Sequence, residues 1–127
     1  MRILIADDNE AVRKGVCSIL QSRHDIEVCG EASTGKDAVI KAQLLKPDLV
    51  ILDFSLPDSS GLDVAMEVRE SLLEVPILLL TAHGTPMIDE MRKRGLQGYV
   101  SKSEAGTTLL AAIDAILGSK RSFFPIS

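Results

Sequence analysis

Tryptophan is absent from this 127-residue chain, and one tyrosine and three phenylalanines are its only aromatic residues, 3% of the total. So few rings leave no platform on which nucleobases could stack. Basic charge is not in excess either: 14 Lys and Arg stand against 18 Asp and Glu, a net charge of -4, which argues against a nucleic-acid-binding surface on this domain. The two cysteines, Cys17 and Cys29, fit neither a metal pair nor a disulfide scaffold and point to a reducing compartment, the cytoplasm. No apolar run approaches the roughly 18 residues that cross a bilayer, so no membrane association is expected. Met1-Arg2 leads through Ile3-Leu4-Ile5 directly to Asp7-Asp8, an apolar stretch too short for a signal peptide. A Gly-x-Gly-x-x-Gly after the first apolar run and a lysine-bearing phosphate loop are both missing, which sets aside the common nucleotide-binding folds.

What is present is an ordinary globular composition, 46% hydrophobic and 25% charged, at a length that suits one domain. Five short apolar runs recur: Ile3 to Ala6, Ile26 to Gly30, Leu49 to Leu52, Ile77 to Leu80, and Gly98 to Val100. Their length favours strands over helices. The first, third and fourth are apolar throughout, as parallel strands covered on both faces must be. The second alternates through Ile26, Glu27 and Val28, and the fifth is short and contains Gly98; both read as edges.

Helical patterns fill the intervals. Val12, Val16, Ile19 and Leu20 share one helical face. Thr34 with Asp37 and Ser60 with Asp63 resemble capping boxes. Thr85-Pro86 reads as an N-cap followed by proline in the first turn, with Gly95 ending that helix. Ser103 is expected to open a last helix striped by Leu109, Ala112, Ile113 and Ile116 and closed by Gly118. Alternating strands and helices give an α/β fold: a doubly wound five-stranded parallel sheet with five helices, order 2-1-3-4-5. The domain is expected to occupy residues 1–118, with 119–127 a tail or the start of a linker.

In that architecture ligands gather at the carboxyl ends of the strands, near the switch point between strands one and three. Asp7 and Asp8 follow strand one, Asp53 ends strand three, Thr81 follows strand four, and Lys102 comes soon after strand five. Three carboxylates meeting there would repel unless a divalent cation neutralised them, and hard oxygen ligands favour Mg²⁺. Lys102 offers a point charge and Thr81 a hydroxyl donor to a phosphoryl oxygen. A carboxylate beside Mg²⁺ can itself attack phosphorus. Each residue also has a plainer reading: Asp8 or Asn9 is suited to cap the first helix, and a single Asp, Thr or Lys at such a position is often structural. The case rests on five of them falling at the same edge.

These residues stand in a recognisable order: Asp7-Asp8 after ILIA; LVILDFSLPDSSGLD with Asp53, Pro57 and Gly61; LLLTA ending in Thr81-Ala82; and GYVSK ending in Lys102. The chain resembles, over nearly its whole length, the CheY-like receiver domains of two-component response regulators, which have a flavodoxin-like fold. The resemblance implies that Asp53 takes a phosphoryl group from a histidine kinase. It implies that Asp7, Asp8, Asp53 and the backbone carbonyl of Ser55 hold Mg²⁺. It further implies that Lys102 pairs with the phosphate, and that Thr81 and Tyr99 move as a switch acting on helix four, strand five and helix five. Such a protein catalyses only its own phosphorylation and dephosphorylation. ILIADDNE, Thr81-Ala82-His83, GYVSKS and the C-terminal stretch are similar to receivers that precede LuxR-type helix-turn-helix domains, so DNA is a partner only through an output domain absent from this chain. A fragment of a transcription regulator is favoured over a stand-alone protein.

Three features depart from that pattern. Asn9 replaces a frequent His at the rim of the site, and Ser103 replaces the Pro that often follows the lysine, which makes a cis peptide less expected there. Thr81 and Lys102 also stand closer together than the resemblance leads one to expect, which bears on helix four. His83 and Ser55 fall at rim positions; His83 and His24 are otherwise read as exposed loop residues. The competing reading is a docking or dimerisation module that works without phosphorylation, and the exposed faces of helices one, four and five could each serve a homodimer. A dehalogenase-like phosphatase fits less well: the candidate nucleophile follows the third strand, and no residues remain for a cap.

Overall fold

The structure, a computed structural model, describes residues 1–82 and 88–118. Five strands alternate with helices along the chain: β1 (Arg2–Ala6), α1 (Glu10–Gln21), β2 (Glu27–Ala32), α2 (Gly35–Leu45), β3 (Leu49–Asp53), α3 (Gly61–Ser71), β4 (Ile77–Thr81), α4 (Ile88–Lys93), β5 (Gly98–Ser101), a single 3-10 turn (Lys102–Glu104) and α5 (Ala105–Gly118). All pairings are parallel and the sheet order is β2-β1-β3-β4-β5, the doubly wound order expected from the pattern.

The central strands are apolar on both faces because both faces are covered. Leu4, Ala6, Val50, Leu52, Ile77 and Leu79 pack with α2, α3, and Met91 of α4. Their neighbours Ile3, Ile5, Leu49, Ile51, Leu78 and Leu80 pack with α1 and α5. Val16 and Leu20 of α1 are buried in the second cluster, with Val12 and Ile19 packed against it. The stripe Leu109, Ala112, Ile113 and Ile116 of α5 is buried there too.

The helix starts follow their side chains. Asn9, not Asp8, caps α1: its Oδ1 accepts from the Val12 amide at 3.1 Å. Thr34 Oγ1 accepts from Asp37 N at 3.1 Å, and Ser60 Oγ from Asp63 N at 3.2 Å. The carboxylates meant to complete the two boxes face cations instead, Asp37 with Lys41 at 3.0 Å and Asp63 with Arg94 at 3.5 Å.

The bounds of β2 and the start of α5 differ from the sequence reading. β2 begins at Glu27 rather than Ile26, because Ile26 N donates to Arg23 O in a turn and the ladder starts with Glu27 N on Met1 O. It runs on to Ala32, with a register shift that leaves Cys29 unpaired in the β1 ladder. Ser103 does not open α5: it lies in the 3-10 turn, its Oγ 2.9 Å from Ser101 Oγ. The hydroxyls of Thr107 and Thr108 instead donate to Glu104 O, at 3.0 and 2.8 Å. The expected Thr85-Pro86 cap and His83 lie outside the described residues.

α4 does end at Gly95, which sits at φ 74°, a conformation that costs an L-residue with a side chain. Gly95 N donates to Arg92 O and Leu96 N to Met91 O, closing a Schellman-type end. Arg69 of α3 reaches this turn. Its Nη2 donates to Gly95 O and, at 2.8 Å, to Gln97 Oε1, which also accepts from Ile77 N at 2.8 Å. Burial pulls the Arg69 guanidinium below its ordinary range, yet these acceptors tie α3, the α4–β5 turn and the start of β4 together.

Gly61 places the start of α3 directly against the end of β3. A Cβ there would stand 2.6 Å from Asp53 O and 3.0 Å from Phe54 Cα, both backbone atoms. Gly61→Ala is therefore expected to lower stability by about 1–3 kcal/mol through overpacking, read as a fall in the midpoint of denaturant unfolding with an unchanged slope.

Candidate functional site

The carboxyl ends of β1, β3, β4 and β5 bring Asp7, Asp8, Asp53, Thr81 and Lys102 to one edge. Asp7, Asp53 and Thr81 are buried while Asp8 is exposed. One carboxylate oxygen from each of Asp7, Asp8 and Asp53 lies within 4.8 Å of the others. Lys102 Nζ sits between two of them, 2.9 Å from Asp7 Oδ2 and 3.1 Å from Asp53 Oδ2. Asp8, Asp53, Phe54, Ser55, Thr81 and Lys102 line an open cavity of about 360 Å³.

Local backbone geometry aims these groups. Asp7 N donates to Ala32 O at 3.0 Å, continuing the strand pairing past β1. Its Oδ1 accepts from Asn9 N at 2.9 Å, and Arg13 Nη1 of α1 donates to Asp7 O at 2.8 Å. Asp53 repeats the arrangement: Ser55 N donates to its Oδ1 at 3.0 Å, while Phe54 N donates to Leu80 O at 2.8 Å. Each buried carboxylate thus has one oxygen held by an amide two residues on and the other turned to Lys102. Ser55 itself is exposed at the rim.

The electrostatics are unbalanced. Burial pushes the Asp53 carboxyl above its ordinary range, and the Asp7 charge adds to this; the Ser55 amide and Lys102 pull against it without cancelling it. Burial works to lower the Lys102 ammonium, but Asp7 and Asp53 outweigh it and hold the lysine above its usual value. Three carboxylates against one ammonium leave excess negative charge. The Thr81 hydroxyl is buried, and its Oγ1 has no hydrogen-bond partner among the described residues, a cost tolerated when the group serves a ligand. An all-oxygen set with excess negative charge suits a small hard cation such as Mg²⁺. The spare hydroxyl and the ammonium suit the oxygens of an anion placed beside it.

Of the sequence-derived candidates among the described residues, Tyr99 stands apart from the carboxylate cluster and its cavity. It pairs with Leu79 across the sheet and is half-buried against the core beneath α2 and α3. Sequence reasoning missed Arg13, Phe54 and Asp58. Arg13 and Phe54 carry no local signal, since one acts on a backbone carbonyl and the other simply follows Asp53. Asp58 sits in a Pro-Asp-Ser-Ser stretch that reads as a turn, yet its carboxylate accepts from Gly35 N and Lys36 N at 2.7 and 3.0 Å.

A carboxyl whose pKa is raised by folding takes up protons on folding. Its charge therefore costs stability as pH rises from the ordinary carboxyl range through the raised value. Asp53→Asn is expected to melt a few degrees above the native sequence at about pH 7 without divalent cations, and to lose that advantage near about pH 3. Thermal unfolding of the two proteins across that range is the check.

Comparison with known proteins agrees with this geometry. The response regulator receiver domain family matches residues 3–114. The chain is 31% identical over 126 residues to the response regulator protein VraR of Staphylococcus epidermidis, an alignment spanning 98% of this chain and 60% of VraR. It is 34% identical over 122 residues to the response regulator UvrY of Escherichia coli, spanning 95% of this chain and 56% of UvrY. A LuxR-family two-component response regulator from Aurantimonas sp. superposes with a TM-score of 0.88 at 30% identity, covering 98% of this chain and 89% of that one. The chain spans somewhat over half the length of the two sequence relatives. With a doubly wound sheet that gathers Asp7, Asp8, Asp53, Thr81 and Lys102 at its carboxyl edge, this chain belongs to the response regulator receiver domain family.

Proposed function

We propose that this chain is a phosphoacceptor switch in which Asp53 receives a phosphoryl group from a histidine kinase. The observation that carries the reading is the shared Lys102 ammonium between Asp7 and Asp53, beside an exposed Asp8 and a buried, unpartnered Thr81 hydroxyl. Asp53 Oδ attacks phosphorus in line; the bond from phosphorus to the kinase histidine nitrogen breaks, and that nitrogen keeps the electron pair. Asp7, Asp8, Asp53 and the Ser55 carbonyl would hold Mg²⁺, which when bound supplies positive charge to the transferring oxygens. Lys102 shifts from a carboxylate to a phosphoryl oxygen, and Thr81 Oγ1 donates to another. The Ser55 amide keeps Asp53 oriented, and positioning rather than acid–base chemistry carries the rate. Hydrolysis by water reverses the modification, so the domain catalyses only its own phosphorylation and dephosphorylation.

Phosphorylation then biases a two-state equilibrium. Thr81 moves toward the phosphate, Tyr99 turns inward, and the face of α4, β5 and α5 changes. On this reading the domain is residues 1–118, with 119–127 a tail or the start of a linker. The LuxR-type relative and the greater length of the sequence relatives support a transcriptional output through a DNA-binding domain outside this chain, in the cytoplasm. A second copy of the chain is a further partner, through α1, α4 or α5.

Intact mass after incubation with acetyl phosphate tests the core of the reading. One phosphoryl group is expected with Mg²⁺, none without it and none in Asp53→Asn. Stoichiometric, persistent labelling of Asp53→Asn would remove the assignment, and an unlabelled, folded native protein would favour the docking-module reading. Asp8→Ala is expected to weaken Mg²⁺ binding at least about tenfold, the scale for losing a metal-site group, measured by calorimetric titration.

A further inference from the structure

Asp58 lies outside the carboxylate cluster, on the loop that joins Asp53 to α3, and its side chain reaches across the fold. Its Oδ1 accepts from Gly35 N at 2.7 Å and its Oδ2 from Lys36 N at 3.0 Å. These are the first two amides of α2, which have no partner inside the helix. The helix's own cap, Thr34, serves only the third, Asp37 N. The amino terminus of α2 is therefore completed by a residue 23 positions away. The fit is close: a Cβ on Gly35 would stand 2.3 Å from Ser59 Oγ and 2.7 Å from Val64 Cγ2. The two amides hold the Asp58 carboxyl below its ordinary range.

The loop so anchored is also closed on itself. Leu56 N donates to Ser59 O at 3.1 Å, Ser55 bridges Ser60, and Gly61 N donates to Phe54 O at 2.7 Å. Within this closed loop sits Ser55, whose amide orients Asp53 Oδ1 at 3.0 Å. These contacts connect the tip of the loop, where Asp58 sits, to Ser55. We propose that Asp58 is a positioning residue: by pinning the loop to the amino terminus of α2, it sets the place of Ser55 and hence the metal-binding and phosphoacceptor geometry at Asp53. This rests on the reading of Asp53 as phosphoacceptor and Ser55 as metal ligand. It adds that α2, which carries none of the site residues, is coupled to the site.

The test follows Mg²⁺ titrations by amide ¹H–¹⁵N shifts in the native protein, Asp58→Ala and Asp58→Asn, with melting temperatures and acetyl phosphate labelling measured alongside. In the native protein the Gly35 and Lys36 amides are expected to shift with the same Mg²⁺ dependence as Ser55. Asp58→Ala should weaken Mg²⁺ about tenfold, as loss of a supporting partner does, slow labelling comparably, and uncouple Gly35 and Lys36 from the titration. Asp58→Asn keeps an acceptor oxygen and should recover part of the affinity. Native Mg²⁺ affinity in both variants, with only the melting temperature lowered, would reduce Asp58 to a helix cap and overturn the proposal, as would silent Gly35 and Lys36 amides in the native protein. A native protein that binds Mg²⁺ but gains no phosphoryl group would sink the phosphoacceptor reading while the Mg²⁺ comparison still decides Asp58. A native protein that binds no Mg²⁺ would overturn both.

Discussion

The repulsion among Asp7, Asp8 and Asp53, relieved in the folded chain by one lysine, is the constraint around which the rest of the structure is arranged. Charges this close interact strongly wherever water is excluded, and two of the three are buried. Such a cluster survives only on a scaffold that cannot relax away from it. The sheet provides that scaffold: β1 and β3 are adjacent and parallel, with Ile5 opposite Ile51 and Ala6 opposite Leu52. Their next residues, Asp7 and Asp53, consequently emerge side by side. Lys102 reaches them from beyond β5, on the far side of β4.

The stored imbalance is also what would make the site responsive. The raised Asp53 carboxyl and the unpartnered Thr81 hydroxyl are features that stability alone would select against. Local rules broken in this way are expected where function requires it. On the proposed function, a cation and a phosphoryl group would satisfy both at once, and occupancy and conformation would then be linked through the same atoms.

Around the site, the helices are held by unlike means. α1 and α5 bury continuous apolar stripes, whereas the described residues of α4, Ile88–Lys93, are held by Met91, the Gly95 turn and the Arg69 contacts. α2 depends at its start on Asp58 from another loop. An element fixed by a few polar contacts shifts at less cost than one fixed by a large apolar face. The fold thus combines a rigid sheet with helices of graded attachment.

The sequence by itself determined the alternation, the sheet order and the side of the sheet on which the acidic residues fall, because apolar runs covered on both faces and right-handed crossovers leave few other arrangements. It also determined the caps at Thr34 and Ser60, where the signal is local. Tertiary structure alone decided what depends on residues distant in the chain. It chose Asn9 over Asp8 as the cap of α1 and began α5 after a 3-10 turn rather than at Ser103. It brought Lys102 between Asp7 and Asp53, and carried Asp58 to the amides of Gly35 and Lys36. The physical reason is the same in each case: a hydrogen bond or ion pair is set by position in space, and apart from turns and helix ends the chain's local chemistry does not record which distant group will arrive there.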